Sequence, residues 1–171
     1  MTPPRRLVLL RHAKAEHAER LTDHERPLAL LGRRQSTHVG TALAAAGVAP
    51  DLVLCSSALR TRQTWELVRP GLGTAPRVEV TEDLYVAGVR DLLDVVRAVG
   101  DDVATVLVVG HEPTMSQAAA VLAGPGSDEP TLERVRVGVP TAAWSLLSTQ
   151  VAWSALEPDG ATLESLTVPA L

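Results

Sequence analysis

Leu7-Val8-Leu9-Leu10-Arg11-His12-Ala13 is the stretch that decides the fold. Four apolar residues run without polar alternation, which fits a strand covered on both faces, as in a parallel sheet with helices on either side. Two charge-bearing side chains then stand at its carboxyl end, where open α/β sheets place their sites. Working outward from this strand (Arg6–Leu10), similar Val- and Leu-rich runs occur at Leu52–Cys55, Val78–Val80 and Thr105–Val109. Helical patterns lie between them. The first starts near Pro27 and carries Leu28, Leu31, Gln35, Val39 and Leu43 on one face until Gly47 ends it. A second runs from about Ala58 to Arg69 and stops at Pro70-Gly71, and a third over Val89–Val99 puts Leu92, Leu93, Val96 and Val99 on one stripe. A fourth begins at Glu112-Pro113, proline being favoured in a first turn, and finishes before Gly124-Pro125-Gly126. Two further strands, Ala142–Leu147 and Thr162–Leu166, flank the turn Glu157-Pro158-Asp159-Gly160. Strand–helix alternation followed by a terminal hairpin predicts a three-layer α/β/α sandwich with a mostly parallel mixed central sheet.

Composition narrows the function classes. The 171 residues suit one domain, taken as 1–171. Sixteen basic residues against twenty acidic ones give a net charge of −4, the opposite of the concentrated basic face of a nucleic-acid binder. Hydrophobic residues at 46% and charged residues at 21% exclude a disordered chain. No apolar run approaches the length that spans a bilayer. Met1 to Arg6 leads straight into Leu7–Leu10, too short for a signal-peptide core and lacking a small-residue cleavage site. Cys55 is the only cysteine, so no internal disulfide forms. These features predict a cytoplasmic protein with neither membrane nor nucleic acid as partner. With no Phe, the core must be built from Val, Leu and Ala. Lys14 is the only lysine, and the arginines are spread along the whole chain without forming a patch.

Three strand ends offer chemistry. The first carries Arg11-His12, the second Cys55-Ser56-Ser57 with Arg60 within one turn, and the fourth Val109-Gly110-His111-Glu112-Pro113. A lone His at a strand end is ordinarily a hydrogen-bonded loop residue. Two His and two Arg at three strand exits form a strongly cationic pocket, suited to a phosphoryl group.

These motifs resemble those of the histidine phosphatase superfamily, the phosphoglycerate mutase-like fold. Its Arg-His-Gly reads here Arg11-His12-Ala13. Its Ser-Pro-x-x-Arg-Ala-x-Gln-Thr reads Ser56-Ser57-Ala58-Leu59-Arg60-Thr61-Arg62-Gln63-Thr64, and its His after a Val-rich strand is His111. The short chain is most similar to the SixA-type phosphohistidine phosphatases. So are Asp23-His24-Glu25-Arg26-Pro27-Leu28 with the following Gly32, and Pro140-Thr141 before the last strands. Ala13, Ser57 and Thr61 depart from the pattern without changing a charged group. Ala13 in place of Gly is tolerable provided its φ is negative.

The resemblance implies a metal-independent phosphatase without cofactor, acting on phosphohistidine in a protein through an intermediate on His12. Arg11, Arg60 and His111 would surround the phosphoryl oxygens, and the pocket would hold phosphate or sulfate. Ser56, Asp23, Arg26 and Glu82 stand around the substrate. Attack requires a neutral imidazole, which an ordinary pKa of about 6.5 supplies at neutral pH. His12 and His17 are five apart, outside the i,i+4 spacing of helical metal pairs. Glu82 and Asp83 are the candidates for a proton donor to a leaving alkoxide. A phosphoramidate needs that donor less, because imidazole leaves more readily. A small-molecule phosphomonoesterase of the same superfamily is the alternative, and a non-catalytic phosphate-binding module a more distant one. Glu16 and Glu112 are close enough in sequence to orient a His. His17 and His24 are expected to be exposed, His38 to lie at a solvent boundary, and Cys55 to belong to the core. Asp23 and Arg26 either line the pocket mouth or pair with each other.

Overall fold

A computed structural model describes residues 3–171. Six strands form one sheet: β1 (Arg5–Arg11), β2 (Leu52–Ser56), β3 (Arg77–Thr81), β4 (Thr105–Gly110), β5 (Trp144–Thr149) and β6 (Thr162–Thr167). Their order is β3-β2-β4-β1-β5-β6. The first four run parallel, whereas β5 is antiparallel to both β1 and β6. Five helices cover the sheet: α1 (Leu30–Ala45), α2 (Leu59–Leu72), α3 (Val89–Arg97), α4 (Thr114–Leu122) and α5 (Glu129–Arg136).

The period-two alternation of a strand divides the core into two layers. Leu7 and Leu9 of β1, Leu52 and Leu54 of β2, and Val106 and Val108 of β4 pack with α3, α4 and α5. Val8, Leu10, Val53, Cys55, Leu107 and Val109 face the other way, onto α1 and α2. The expected three-layer sandwich with a mixed sheet is therefore observed. Trp153, fully buried on the α3 side, donates its indole N–H to Val103 O at 2.8 Å.

Several boundaries differ from expectation for identifiable reasons. Helix α1 starts at Leu30 rather than near Pro27, because Leu28 forms a β-bridge with Ala15 and the chain is still extended at Ala29. Its buried face is Gly32, Ser36, Val39, Gly40 and Leu43, while Leu31 is half exposed. Small residues are needed there: a Cβ at Gly40 would lie 2.3 Å from Val68 O, and one at Gly71 would lie 2.8 Å from Gly40 C. The same contact explains why α2 does not stop at Pro70-Gly71. Pro70 sits in its last turn, Gly71 meets α1, and Gly73 ends the helix at φ 69°. Helix α5 was not expected. Asp128 caps it by accepting from Thr131 N–H, Pro130 lies in its first turn, and Leu132 and Val135 are its buried apolar residues. Strand β5 begins at Trp144 instead of Ala142, because Ala142 takes a left-handed φ of 62°.

Candidate active site

Register alone assembles the site. Arg11 of β1 pairs with Gly110 of β4, and Cys55 of β2 pairs with Val109 of β4. The residues that follow, His12, Ser56 and His111, therefore emerge side by side at the carboxyl edge. The rings of His12 and His111 are 5.3 Å apart, and Ser56 Oγ lies 2.8 Å from His111 Nε2. Arg60, in the first turn of α2, places its guanidinium Nη2 3.3 Å from His111 Nδ1. The four expected residues share one cleft of about 310 Å³, which Lys14 and Arg26 also line. Four fixed cations thus face a single lining carboxylate, Glu112, in a chain whose net charge is −4.

Hydrogen bonding assigns the ring protons. A carbonyl oxygen only accepts, so the 2.7 Å contact of His12 Nδ1 with Ala13 O puts the proton on Nδ1 and the lone pair on Nε2. Guanidinium only donates, so His111 Nδ1 accepts from Arg60 and its Nε2–H donates to Ser56 Oγ. Both rings are held neutral. Burial, followed by the nearness of the second titratable ring, His111, and the charges of Arg60 and Arg11, lowers the His12 pKa to about 3 despite its bond to Ala13 O, and burial and Arg60 lower that of His111 to about 4. Nitrogen-detected NMR should then find opposite tautomers, Nδ1–H for His12 and Nε2–H for His111, neither ring protonating until the pH approaches 4. An imidazolium forming near pH 6.5 at either ring would contradict the arrangement.

The arginines are fixed from behind. Arg11 Nη1 donates to Val139 O at 2.8 Å; burial lowers its pKa, an effect that Glu112 opposes. Arg60 is 6% exposed and donates to Asp23 through Nη1 to the backbone O (2.8 Å) and Nη2 to Oδ2 (3.1 Å). The Nε–H groups of both arginines are buried and have no protein partner among the described residues. They are donors kept out of water, which is costly unless an anion accepts from them.

Asp23 and Arg26 pair with each other, and of the two only Arg26 is among the residues lining the cleft. Arg26 Nε lies 3.1 Å from Asp23 Oδ1. Asp23 also gathers Arg60 and the Tyr85 hydroxyl, which donates to Oδ2 at 2.7 Å. These bonds, Tyr85 first and then Arg60, hold the Asp23 carboxyl down at about 2. Glu82 lies outside the residues lining the cleft, with its side chain 73% exposed and Oε1 3.4 Å from His24 Nε2. Glu112 orients no His. It accepts from Ser116 N–H and Val139 N–H, fixing the turn whose carbonyl holds Arg11. Glu16 contributes its backbone O to Arg26. Cys55 is core, its thiol pushed up to about 12 by burial. His17 is exposed as expected, at the cleft, and His38, expected at a solvent boundary, is fully exposed.

His24 is a correction. It is half-buried, with Nε2 2.9 Å from Ser57 Oγ and its ring edge-on to Tyr85 at 4.7 Å. Tyr85 was missed altogether; its ring also stands 5.7 Å from that of His111. A single aromatic after a short polar stretch carries no periodic signal, and only its nearness to Glu82 could have raised it.

Scaffold residues account for the rest of the motifs. Thr64 Oγ1 donates to Arg60 O and accepts from Ala13 N–H, tying the helix to the loop beside His12. Gln63 Oε1 accepts from Leu28 N–H. Gln35 bridges Lys14 N–H and Thr141 Oγ1. Ala142 N–H is shared by the carbonyls of Arg11 and His12. Positive φ among non-glycine residues occurs at Ala142 and Asp159, not at Ala13, so alanine in the place of the family glycine is unstrained. No group of three or more His, Cys, Asp or Glu among the described residues is arranged to hold a metal ion. Among the described residues no helix is long and apolar enough to cross a membrane.

Comparison with known proteins identifies the family and the fold. Residues 7–85 match the model of the histidine phosphatase superfamily (branch 1). An uncharacterized protein of Mycobacterium tuberculosis is 40% identical over 161 residues, spanning 94% of this chain and 99% of its own. A solved structure from Nakamurella multipartitia that carries the SixA name superposes with a TM-score of 0.85 at 35% identity, over 99% of both chains. The protein histidine phosphatase SixA complexed with tungstate superposes at 0.78 with 25% identity, over 96% of this chain and 97% of that one.

Proposed function

The chain belongs to the histidine phosphatase superfamily, in its SixA-type branch, and from that premise we propose that it is a metal-independent phosphatase of phosphohistidine in proteins. One observation carries the proposal: His12 is neutral, its proton is committed to Ala13 O, and its Nε2 lone pair stands in a cleft lined by Arg11, Arg60 and His111. That is an activated nucleophile at a phosphoryl site.

In the first step Nε2 of His12 attacks phosphorus. The new N–P bond forms as the substrate's N–P bond breaks, and the leaving imidazole keeps the electron pair and takes a proton from solvent. In the second step water attacks phosphorus and gives up a proton to solvent, the electron pair of the His12–phosphorus bond returns to Nε2, and phosphate leaves. Arg11 and Arg60 neutralise the equatorial oxygens through donors already fixed in place, so little reorganisation is needed at the transition state. His111 offers its Nε2–H, now held by Ser56, to the same oxygens. The tungstate bound by the SixA relative is an oxyanion of similar shape to phosphate, which supports an oxyanion ligand here. The same reading places the protein in the cytoplasm, where a phosphorylated protein domain is its partner.

Substrate choice follows from the exposed position of Glu82. A carboxylate in water beside His24, outside the cleft lining, is a weak proton donor to an alkoxide. An imidazole leaving group needs it less. We therefore expect kcat/KM for a phosphohistidine domain to exceed that for sugar phosphates by at least about tenfold, roughly 1.4 kcal/mol of transition-state stabilisation. Glu82→Gln should therefore change ester hydrolysis by no more than about threefold, as exposed surface changes do, and leave phosphohistidine turnover nearly unchanged. Efficient hydrolysis of one small ester, with no action on phosphohistidine proteins, would overturn this reading in favour of a small-molecule phosphomonoesterase.

A further inference from the structure

Part of the cleft has no task in the reaction. His12 and Arg60 lie at its buried floor, at 8% and 6% exposure, and Arg11 and His111 complete the phosphoryl site. Lys14, Arg26 and Thr141 line the same cleft nearer its mouth, Lys14 exposed and the other two half-buried.

The chain fixes these three residues to one another. Residues 14–16 run beside residues 27–29: Ala15 forms an antiparallel bridge with Leu28, Ala29 N–H donates to Lys14 O at 2.9 Å, and Glu16 N–H donates to Pro27 O at 2.8 Å. Gly32 packs against this segment so closely that a Cβ there would collide with Lys14 O. Gln35 then joins two walls of the cleft. Its Oε1 accepts from Lys14 N–H at 2.9 Å, and its Nε2 donates to Thr141 Oγ1 at 3.2 Å. Arg26 is braced from behind, donating Nε–H to Asp23 Oδ1 at 3.1 Å and Nη1 to Glu16 O at 3.2 Å.

What remains is a set of spare donors. The Lys14 ammonium has neither an ion pair nor a hydrogen bond among the described residues, and Nη2 of Arg26 has none either. Thr141 Oγ1 accepts from Gln35, which leaves its O–H to donate. Ammonium and guanidinium groups cannot accept, so the ligand that satisfies this wall is an anion. The one lining carboxylate, Glu112, is engaged by Ser116 N–H and Val139 N–H instead. Charge balance sets the kind of anion. Asp23 already balances Arg26, and the phosphoryl group takes Arg11 and Arg60, so Lys14 carries the one uncompensated charge. A carboxylate matches it, whereas a second phosphate dianion overshoots.

We propose that Lys14, Arg26 and Thr141 form a second anion subsite, which takes the carboxylate of an Asp or Glu neighbouring the phosphohistidine of the substrate protein. The proposal rests on the phosphohistidine reading and adds to it the feature by which one phosphohistidine is preferred to another.

Kinetics on chemically phosphorylated histidine peptides tests it. A single Glu is stepped along the residues on either side of the phosphohistidine, and each peptide is matched to its Gln counterpart. The Glu-to-Gln ratio of kcat/KM then cancels any effect on the phosphoryl site. At one position at least, the ratio should reach about tenfold or more, as a charge-assisted hydrogen bond contributes. Lys14→Gln should bring that ratio below about threefold, and Lys14→Glu should replace it with a preference for Lys over Gln at the same position. Arg34→Gln removes the same charge from the exposed side of α1, outside the cleft lining, and should leave the ratio within about twofold. The Lys14 side chain is exposed while its backbone makes the bonds to Gln35 and Ala29, so its variants should melt as the parent does. A ratio near one at every position would overturn the proposal and leave the phosphohistidine reading standing. So would a gain that survives Lys14→Gln, or one that Arg34→Gln removes equally. If no peptide is hydrolysed, calorimetry of phosphonocarboxylates of increasing chain length against their uncharged amides decides. A carboxylate gain that Lys14→Gln removes would then keep the subsite and overturn the phosphohistidine reading, and no gain would overturn both.

Discussion

His12→Ala abolishes turnover and leaves the fold in place. The expected loss is several orders of magnitude, because a missing nucleophile cannot be replaced by neighbours that only bind the phosphoryl group. The substitution removes a ring from the wall of a cleft at a strand end, not from either packed layer, so the melting behaviour should remain close to that of the parent. Inorganic phosphate or vanadate should still bind, since Arg11, Arg60 and His111 are held by Val139, Asp23 and Ser56 rather than by His12. A folded variant that keeps more than about a hundredth of the parent's kcat would remove His12 from the nucleophile's role, given the losses usual for such residues.

Arg60→Ala should lower kcat/KM by at least about a hundredfold, roughly 2.7 kcal/mol, and weaken inhibition by phosphate or vanadate. Arg62→Ala should stay within about threefold of the parent, in the range of exposed surface changes. The contrast is geometric. Arg60 is buried in the cleft and clamped by Asp23, while Arg62 turns outward and donates Nε–H to Ser57 O. Equal effects from the two substitutions would mean that the phosphoryl group binds elsewhere.

The sequence announced the centre of this site because strand ends are easy to read. Continuous apolar runs at β1, β2 and β4 mark where strands stop, and their last residues must emerge together once the strands pair in parallel. Arg11, His12, Ser56 and His111 followed from that logic. What escaped depends on tertiary contact. Pro70-Gly71 reads as a helix end, yet Gly71 lies inside α2 because α1 crosses there at Gly40. Tyr85 and His24 lie in short polar connections without periodicity, and only the fold brings them edge to edge. Helix α5 carries its signal in the Asp128 cap and Pro130, but eight residues with two buried apolar positions make a weak pattern. Glu112 looked like a partner for a His and proved to be an anchor for two backbone amides.

The central claim is that phosphate passes through Nε2 of His12. Rapid quenching of the enzyme with a radiolabelled phosphohistidine protein tests it most directly, followed by peptide mapping under alkaline conditions that preserve phosphohistidine. The account predicts a transient label, stable to alkali and labile to acid, on the peptide containing His12 and absent from His12→Ala. Label on any other residue, or turnover with no enzyme-bound phosphate at any quench time, would contradict it.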